Sequence, residues 1–287
     1  MKDKLILGTV QFGLSYGINN STGLPTEDTV NAILDKAFDS GISLLDTAAA
    51  YGLAESRIGS YHKLKTNRRF AVNTKFSKDA SITWLESLTN SINLMKIEQI
   101  DTIMFHSFEA YQNNKQDLKN IYSIGATGYF KRIGVSVYTN EELETLLSDE
   151  LITVVQLPFN MLDNEFLRMP ILKKLKAAGK EIHTRSSFLQ GLFFKDLDTI
   201  PANLKALKPQ LILIRELANQ HNVDVGHLAL QYCLSKDYID KVLIGVESLS
   251  QLDLNLKWST EKIDVEIFKK IDAIIVNNIA LLNPSKW

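Results

Sequence analysis

Short apolar runs rich in β-branched residues recur along the chain, and amphipathic segments lie between them. Most of these runs lack a regular polar alternation, which is typical of strands buried on both faces of a parallel sheet. The pattern predicts eight strands, at 5–10, 43–48, 70–75, 100–106, 132–137, 153–159, 181–187 and 241–246.

The segments between the strands carry apolar residues at helical spacing. The segment 26–40 follows Pro25, begins with Thr26 as a capping residue and stops at Gly41. A second segment, 140–147, is expected to begin with Asn140 as its cap. Similar patterns predict further helices at 81–95, 169–178, 209–220, 225–234, 248–258 and about 265–282.

Eight alternations of strand and helix favour an α/β fold of the closed (β/α)8 TIM-barrel type over an open doubly wound sheet. The turn after the first strand, 11–17, lacks the G-x-G-x-x-G pattern that an open dinucleotide-binding sheet would need. We expect one barrel domain over residues 1–287, with its active site at the C-terminal face of the strands. Two connections are long, 11–25 and 188–208, and the second is expected to contain extra helix.

Composition narrows the possible partners. The formal net charge of −1 gives no reason to expect nucleic acid or an anionic membrane surface. The chain has 1 cysteine, Cys233, so an intrachain disulfide is excluded, and it contains no apolar run of about 18 residues. Its first residues do not follow the pattern of a signal peptide. We therefore expect a cytoplasmic protein, a monomer or small homo-oligomer, that acts on a small molecule.

Four side chains that can hold or move a proton occur at or after the C-terminal ends of three consecutive predicted strands. Asp46 and Tyr51 follow the second strand, Lys75 ends the third and His106 ends the fourth. Side chains at these ends converge on one mouth of a barrel. Each residue alone has an ordinary structural explanation, such as a helix cap, a surface charge or a buried hydrogen bond. Together, in this order, they predict a catalytic site.

With these positions the sequence resembles the aldo-keto reductase superfamily. The resemblance covers nearly the whole chain and implies an NAD(P)(H)-dependent oxidoreductase, of the alcohol dehydrogenase or carbonyl reductase class, that reduces an aldehyde or ketone, including sugar-like carbonyls. The matching positions are Gly8-Thr9, Asp46-Thr47-Ala48, Tyr51-Gly52, Glu55, Thr74-Lys75, His106, Gly134-Val135-Ser136, Gln156, Asn160 and 245–255.

The resemblance and the chemistry of carbonyl reduction together imply the catalytic roles. Negative charge develops on the carbonyl oxygen, so a proton donor is needed, and Tyr51 is expected to supply it. The Lys75 ammonium favours the phenolate that remains, and Asp46 holds this ammonium in place. His106 is expected to orient the carbonyl and donate a hydrogen bond to its oxygen.

The resemblance also implies a nicotinamide cofactor. NADP(H) is the family default, and no metal site is expected because the histidines and Cys233 lack a ligand spacing. The implied cofactor contacts are Gly8, Thr9, Asp46, Ser136, Gln156, Arg185, Ser186, Phe188, Gly191, Gly245, Ser248, Gln251 and Asn255.

Four positions depart from the family pattern. Val137 replaces an Asn that binds the carboxamide, and Arg185 replaces a Tyr that stacks on the nicotinamide ring. A guanidinium can also stack on a ring, but pairing with a carboxylate or contact with substrate is an equal alternative. Gly245 and Gln251 stand where strict NADP users place Lys and Arg, so NAD(H) is the second candidate.

The substrate pocket is predicted from the loops after the first, fourth and seventh strands and from the chain end. The short tail favours a small carbonyl substrate over a bulky one. A non-catalytic nucleotide-binding regulator and an unrelated metal-dependent hydrolase or Schiff-base aldolase are the alternatives; the four proton-handling residues argue against both. The candidate pocket residues are Val10, Gln11, Phe12, Tyr16, Ser107, Phe108, Phe188, Phe193, Phe194 and Trp287.

Overall fold

The computed structural model of the protein describes residues 2–20, 22–77 and 81–287. Its strands are all parallel and pair in chain order, and the last pairs with the first, so the sheet closes into a barrel. The ends of the eight strands lie within two residues of the prediction, and five of these ends coincide with it. They are β1 (Leu5–Gly8), β2 (Leu44–Asp46), β3 (Ala71–Lys75), β4 (Ile100–Phe105), β5 (Phe130–Ser136), β6 (Val154–Pro158), β7 (Glu181–Arg185) and β8 (Lys241–Gly245).

Helices connect the strands and pack their apolar sides against the barrel, which confirms the predicted (β/α)8 fold. The connection after β7 contains two 3-10 helical segments, Leu189–Phe194 and Ala202–Leu207, as expected. Over the described residues the α-helices are α1 (Val10–Gly13), α2 (Glu27–Asp39), α3 (Ala54–Leu64), α4 (Trp84–Met95), α5 (Phe108–Asn113), α6 (Leu118–Gly125), α7 (Asn140–Leu146), α8 (Glu165–Ala177), α9 (Lys208–Gln220), α10 (Val225–Leu234), α11 (Leu249–Thr260) and α12 (Glu266–Asp272).

The sequence did not predict α1, α3, α5 and α6, and α4 begins three residues later and α8 four residues earlier than predicted. Two further differences have a visible cause. The cap of α7 is Thr139 instead of Asn140, because Thr139 and Glu142 form a reciprocal capping box. The last helix ends at Asp272 and does not reach residue 282. The side chain of Asn164 donates to the carbonyl oxygens of Ile271 and Ile274, which a continued helix would use for its own hydrogen bonds.

The strand register brings the predicted site residues to one mouth of the barrel. Gly8 of β1 lies opposite Asp46 on one side and Gly245 on the other. Ser136 lies opposite Gln156. Across the described residues, no helix is long and apolar enough to cross a membrane.

Charged side chains close the opposite, N-terminal end of the barrel. Arg132 of β5 contacts Asp101 of β4 and Glu181 of β7. Glu181 Oε1 in turn lies 2.7 Å from Nε2 of the fully buried His183. Because this chain of charges links three strands far from the mouth, we interpret His183 as structural, in agreement with its mid-strand position in the sequence.

Candidate active site

A cavity of about 840 Å³ opens at the C-terminal ends of the strands. This volume lies in the upper part of the range of about 300–1,000 Å³ that is usual for ligand sites. Each of the eight strands contributes a lining residue, within its last three positions or directly after it, namely Gly8, Asp46, Lys75, His106, Ser136, Gln156, Arg185 and Gly245.

A buried ion pair lies in the wall of the cavity. The ammonium of Lys75 donates to Oδ1 of Asp46 at 2.7 Å and to the carbonyl oxygen of Thr47 at 3.0 Å. Both charged side chains are almost completely buried, at 2% and 3% exposure. Burial alone would lower the pKa of Lys75, but the charges of Asp46 and Tyr51 and hydrogen bonds to both outweigh it, so its pKa is raised. Lys75 is therefore a cation at neutral pH.

Tyr51 and His106 lie beside this ion pair. The ammonium of Lys75 is 5.1 Å from the centroid of the Tyr51 ring. The rings of Tyr51 and His106 have centroids 5.7 Å apart and stand nearly perpendicular, at 81°. The structure thus brings all four predicted catalytic residues together around one point of the cavity.

The position of Tyr51 depends on a close backbone contact with the loop after β1. A Cβ atom on Gly13 would lie 1.7 Å from the carbonyl oxygen of Tyr51. Only glycine permits this approach. The same segment is held from the other side by Arg57, whose guanidinium donates to the carbonyl oxygen of Phe12 at 2.8 Å.

Gln156 contacts the ion pair directly. Its side-chain nitrogen donates to Oδ2 of Asp46 at 2.7 Å, so the two oxygens of Asp46 are shared between Lys75 and Gln156. The sequence predicted only a cofactor contact for Gln156. Its bond to Asp46 adds a positioning role that the sequence pattern did not indicate.

Glu55 explains another matching position of the sequence. It is 4% exposed and accepts a hydrogen bond of 2.7 Å from the hydroxyl of Thr74. Burial raises its pKa, which hydrogen bonds from Thr74 and Ser91 oppose. Glu55 therefore fastens α3 to β3 next to Lys75, and we interpret it as a positioning residue.

One end of the cavity is formed by the segment from β8 into α11. The carbonyl-type oxygen Oδ1 of Asn255 is buried there and makes no hydrogen bond to the described residues. The side chain of Gln251 forms two hydrogen bonds with Glu247. Its Oε1 accepts from the Glu247 backbone nitrogen at 2.8 Å, and its Nε2 donates to Glu247 Oε1 at 3.2 Å. We call these residues, with the cavity-lining Asp224, the adenosine end, after the cofactor contacts that the sequence resemblance implies.

Gly245 accommodates Gln11 at the same end. A Cβ atom on Gly245 would lie 2.7 Å from Nε2 and 2.8 Å from Oε1 of Gln11. The absence of a side chain at position 245 therefore lets the loop after β1 reach the end of β8.

Twelve of the thirteen predicted cofactor contacts line the cavity: Gly8, Thr9, Asp46, Ser136, Gln156, Arg185, Ser186, Phe188, Gly191, Gly245, Gln251 and Asn255. Ser248 is not among the lining residues. Its hydroxyl caps α11 by accepting from the Gln251 backbone nitrogen.

The predicted substrate residues divide into two groups. Val10, Gln11, Tyr16, Phe188 and Phe194 line the cavity. The other five do not: Phe12 and Phe193 are buried in the core, Ser107 caps α5, Phe108 packs on Tyr111, and the indole of Trp287 donates to the Leu281 carbonyl. Aromatic residues in these loops thus serve packing as often as they serve the cavity.

Several cavity residues escaped the sequence prediction. Tyr138 lies two residues after the matched segment that ends at Ser136, and its aromatic character close to a strand end was the available signal. The sequence did not single out the carboxylates Asp224 and Glu247, because an acidic residue at the start of a helix has an ordinary structural explanation. Other unpredicted lining residues include Asn19, Asn20, Gln190, Trp258, Pro284 and Ser285.

Arg185 stacks on Tyr138 and pairs with no carboxylate of the described residues. Its guanidinium carbon lies 4.2 Å from the centroid of the Tyr138 ring, and Nη2 donates to the Val137 carbonyl oxygen at 3.2 Å. Of the alternatives left open by the sequence, an ion pair within the chain is therefore not formed. Stacking on a nicotinamide and contact with substrate remain.

A closed parallel barrel with a residue cluster of this kind at its mouth is typical of barrel oxidoreductases that act on carbonyl compounds. The family model of the aldo/keto reductase family matches residues 4–276. The chain belongs to this family, as the sequence resemblance indicated.

Individual relatives agree with this assignment. The chain is 26% identical to an L-galactose dehydrogenase of Arabidopsis thaliana, covering 94% of this chain and 91% of the relative. It is 24% identical to an L-glyceraldehyde 3-phosphate reductase of Escherichia coli K12, covering 89% and 85%. An aldo-keto reductase structure from Bacillus halodurans in its holo form, 20% identical, superposes with a TM-score of 0.70 over 96% of this chain and 94% of that one.

Proposed function

We propose that this protein reduces an aldehyde or ketone to an alcohol with a nicotinamide cofactor, and that Tyr51 donates the proton. The observation that carries the proposal is the buried Lys75–Asp46 pair beside the Tyr51 ring. A buried cation next to a phenol stabilises the phenolate that remains after proton donation.

Each of the four residues has a separate role in the reduction of the carbonyl group. When bound, the reduced nicotinamide supplies a hydride to the carbonyl carbon. The electron pair of the C=O π bond moves to the oxygen, which takes the proton of Tyr51 and leaves a phenolate beside the Lys75 ammonium. His106 donates a hydrogen bond to the same oxygen and fixes its direction. Asp46, held by Gln156, keeps Lys75 in position.

The residues present fit a dinucleotide. The cavity extends from Tyr51 to α11, and the buried Oδ1 of Asn255 is an acceptor suited to the amino group of adenine. Ser136 and Gln156 are the residues we propose for the carboxamide. The backbone at the start of α11, a helix of twelve residues, can hold phosphate oxygens through its N–H groups.

For the choice of cofactor we propose NAD(H) ahead of NADP(H), the family default. Lys75 and Arg185 are the only lysine or arginine among the described lining residues, and Lys75 is bound to Asp46. Glu247 and Asp224 line the adenosine end instead. A carboxylate accepts hydrogen bonds from a ribose 2′-hydroxyl and repels a 2′-phosphate.

The polar rim supports a small, hydroxylated substrate. Asn19, Asn20 and Gln190 line the cavity together with Tyr16. Amide and hydroxyl groups of this kind suit sugar-like carbonyls, and two relatives are named for sugars or sugar phosphates. A reductase of this type draws on a pool of reduced nicotinamide, which agrees with the cytoplasmic location that we propose.

The test is a cofactor-oxidation assay with a panel of aldehydes, ketones and oxidised sugars, in which wild type is compared with Tyr51→Phe. We expect Tyr51→Phe to lose at least about 100-fold in kcat, the usual contribution of a general acid, while NADH still binds in a fluorescence titration. Full turnover in Tyr51→Phe would exclude Tyr51 as the acid. Absence of binding of both NADH and NADPH to wild type would exclude the proposed function and favour a different role for the barrel.

A further inference from the structure

Arg185 is an unpaired cation in the wall of the cavity. It lies at the C-terminal end of β7, is half-buried, and forms no ion pair with a carboxylate of the described residues. A guanidinium carries five N–H donors, and one of them is used on the Val137 carbonyl oxygen. Donors remain for a ligand.

Tyr138, the residue on which Arg185 stacks, is itself bonded to Arg168. The Tyr138 ring supports the guanidinium at 4.2 Å, and the Tyr138 carbonyl oxygen accepts from Nη2 of Arg168 at 2.6 Å. Arg168 also donates to both oxygens of Asp163, at 2.5 and 2.8 Å. Arg168 therefore fixes the backbone of Tyr138, and Arg185 is oriented by its stacking on the Tyr138 ring and its bond to the Val137 carbonyl oxygen.

The charges around Arg185 leave its own charge uncompensated. The charge of Arg185 acts on the carboxylate of Asp163, but Arg168 binds both oxygens of that carboxylate. Asp46 is neutralised by Lys75. The other lining carboxylates, Asp224 and Glu247, belong to the adenosine end. Among the described residues that line the cavity, Arg185 is thus the cation whose charge no carboxylate pairs with.

Arg185 and Tyr51 face the same part of the cavity. Tyr16 lines the cavity with them, and its hydroxyl oxygen accepts from Gln190 Nε2 at 2.8 Å. Burial of this hydroxyl and the neighbouring Tyr51 raise the pKa of Tyr16 to about 12, and Arg185 opposes the change, although 37% of the residue is exposed at the rim. Arg185 also binds the Val137 carbonyl oxygen, and Val137 is joined through Gln156 and Asp46 to Lys75 beside Tyr51. The Arg185 fork and the Tyr51 hydroxyl therefore belong to one end of the cavity.

We propose that Arg185, supported by Tyr138, binds a carboxylate or phosphate group of the substrate, so that the enzyme acts on anionic aldehydes or ketones. This inference rests on the proposed reduction at Tyr51. The oxyanion accepts hydrogen bonds from the Arg185 fork, and the carbonyl at the other end of a short chain lies at Tyr51 and His106. Charge-assisted bonds of this kind are about twice as strong as neutral ones.

The experiment compares matched substrate pairs. One pair is glyceraldehyde 3-phosphate and glyceraldehyde, and the other is succinic semialdehyde and butanal, so that phosphate and carboxylate are tested separately. The measured quantity is the ratio of kcat/KM for the anionic and the neutral member, in wild type, Arg185→Leu and Arg185→Lys. A general loss caused by the substitution cancels in this ratio.

We expect wild type to prefer at least one anionic member, and Arg185→Leu to lower that ratio about 10- to 100-fold. The ratio for Arg185→Lys is expected to lie between those of wild type and Arg185→Leu, because lysine keeps the charge but lacks the planar fork of donors. The control is Lys195→Gln, which removes a cation from the same connection. Lys195 donates to the Ile18 carbonyl oxygen outside the cavity lining, so the ratio should stay within about twofold of wild type.

A binding measurement makes the test independent of turnover. Calorimetry with 3-phosphoglycerate and succinate should detect binding of at least one to wild type and a loss of at least tenfold in Arg185→Leu. If wild type reduces no aldehyde but this binding difference is present, the proposed function fails and the anion site stands. If the ratios are equal in all variants while Arg185→Leu loses NADH affinity, Arg185 serves the cofactor and the proposal is overturned.

Discussion

The side-chain nitrogen of Gln156 donates a 2.7 Å hydrogen bond to Oδ2 of Asp46, the carboxylate that holds the Lys75 ammonium through its other oxygen. The bond connects β6 with β2 across the mouth of the barrel, since these strands are not neighbours in the sheet. Gln156 therefore contributes to the electrostatics of the proposed acid even without a cofactor.

Replacing Gln156 with Leu is expected to leave Oδ2 of Asp46 buried without this donor. Such a charged acceptor costs about 1–3 kcal/mol, so the free energy of unfolding in urea should fall by that amount and kcat by about tenfold. Gln99→Leu is the control, because the Gln99 side chain donates to the Gly128 carbonyl oxygen and neither residue lines the cavity. If Gln156→Leu weakens cofactor binding but keeps wild-type stability, Gln156 acts on the carboxamide alone.

Replacing Glu247 with Arg is expected to shift the cofactor preference. The substitution exchanges a carboxylate at the adenosine end for a cation that can pair with a 2′-phosphate. The ratio of the NADPH and NADH dissociation constants, from fluorescence titrations at low salt, should fall about 10- to 100-fold. Glu261→Arg, on the exposed end of α11, should leave the ratio unchanged. Tighter binding of NADPH than of NADH by wild type would contradict the proposed preference.

The charges at the closed end of the barrel predict a pH dependence of stability. The hydrogen bond from His183, followed by the charges of His183 and Arg132, holds the pKa of Glu181 at about 2, although burial opposes this. Because the folded-state pKa lies below the ordinary value, this stabilisation is fully present above about pH 4.5 and is lost as the pH falls towards 2.

In urea unfolding at pH 7, Glu181→Gln should therefore be less stable than wild type by roughly 2–3 kcal/mol. The difference should shrink steadily between pH 4.5 and 2. Glu144→Gln, which removes an exposed partner of Lys174, should cost less than about 1 kcal/mol at every pH. A gap between Glu181→Gln and wild type that stays constant down to pH 2 would argue against this ion-pair chain.

Cys233 is expected to be chemically inert in the folded protein. It is fully buried in α10, and burial raises the pKa of its thiol to about 12. Because the thiolate is the reactive form, a disulfide reagent at pH 8 should label Cys233 only as fast as the protein unfolds. Labelling followed at increasing urea should track the unfolding transition. Rapid stoichiometric labelling of the native protein would show that this part of the barrel opens.

The alternation of strands and helices was enough to predict the barrel. The polar residues at the strand ends were enough to predict that Asp46, Tyr51, Lys75 and His106 lie together. Both are local features of the sequence that the parallel register converts into one mouth. The end of α12 could not be predicted, because it depends on the Asn164 side chain more than a hundred residues away. The stacking of Arg185 on Tyr138 likewise joins two strands that the chain order separates.

The contact between Gly245 and Gln11 makes the order of mutations matter in any evolutionary route to NADP. A lysine introduced first at position 245 meets the Gln11 amide, because even its Cβ lies within 2.7 Å of Nε2. After Gln11→Ala the three atoms nearest to that Cβ are no longer present. The two positions are therefore coupled: Gly245→Lys requires the end of the Gln11 side chain to move, whereas a prior Gln11→Ala removes that need, so a lineage with Gln11 reaches that cofactor site more readily when position 11 changes first.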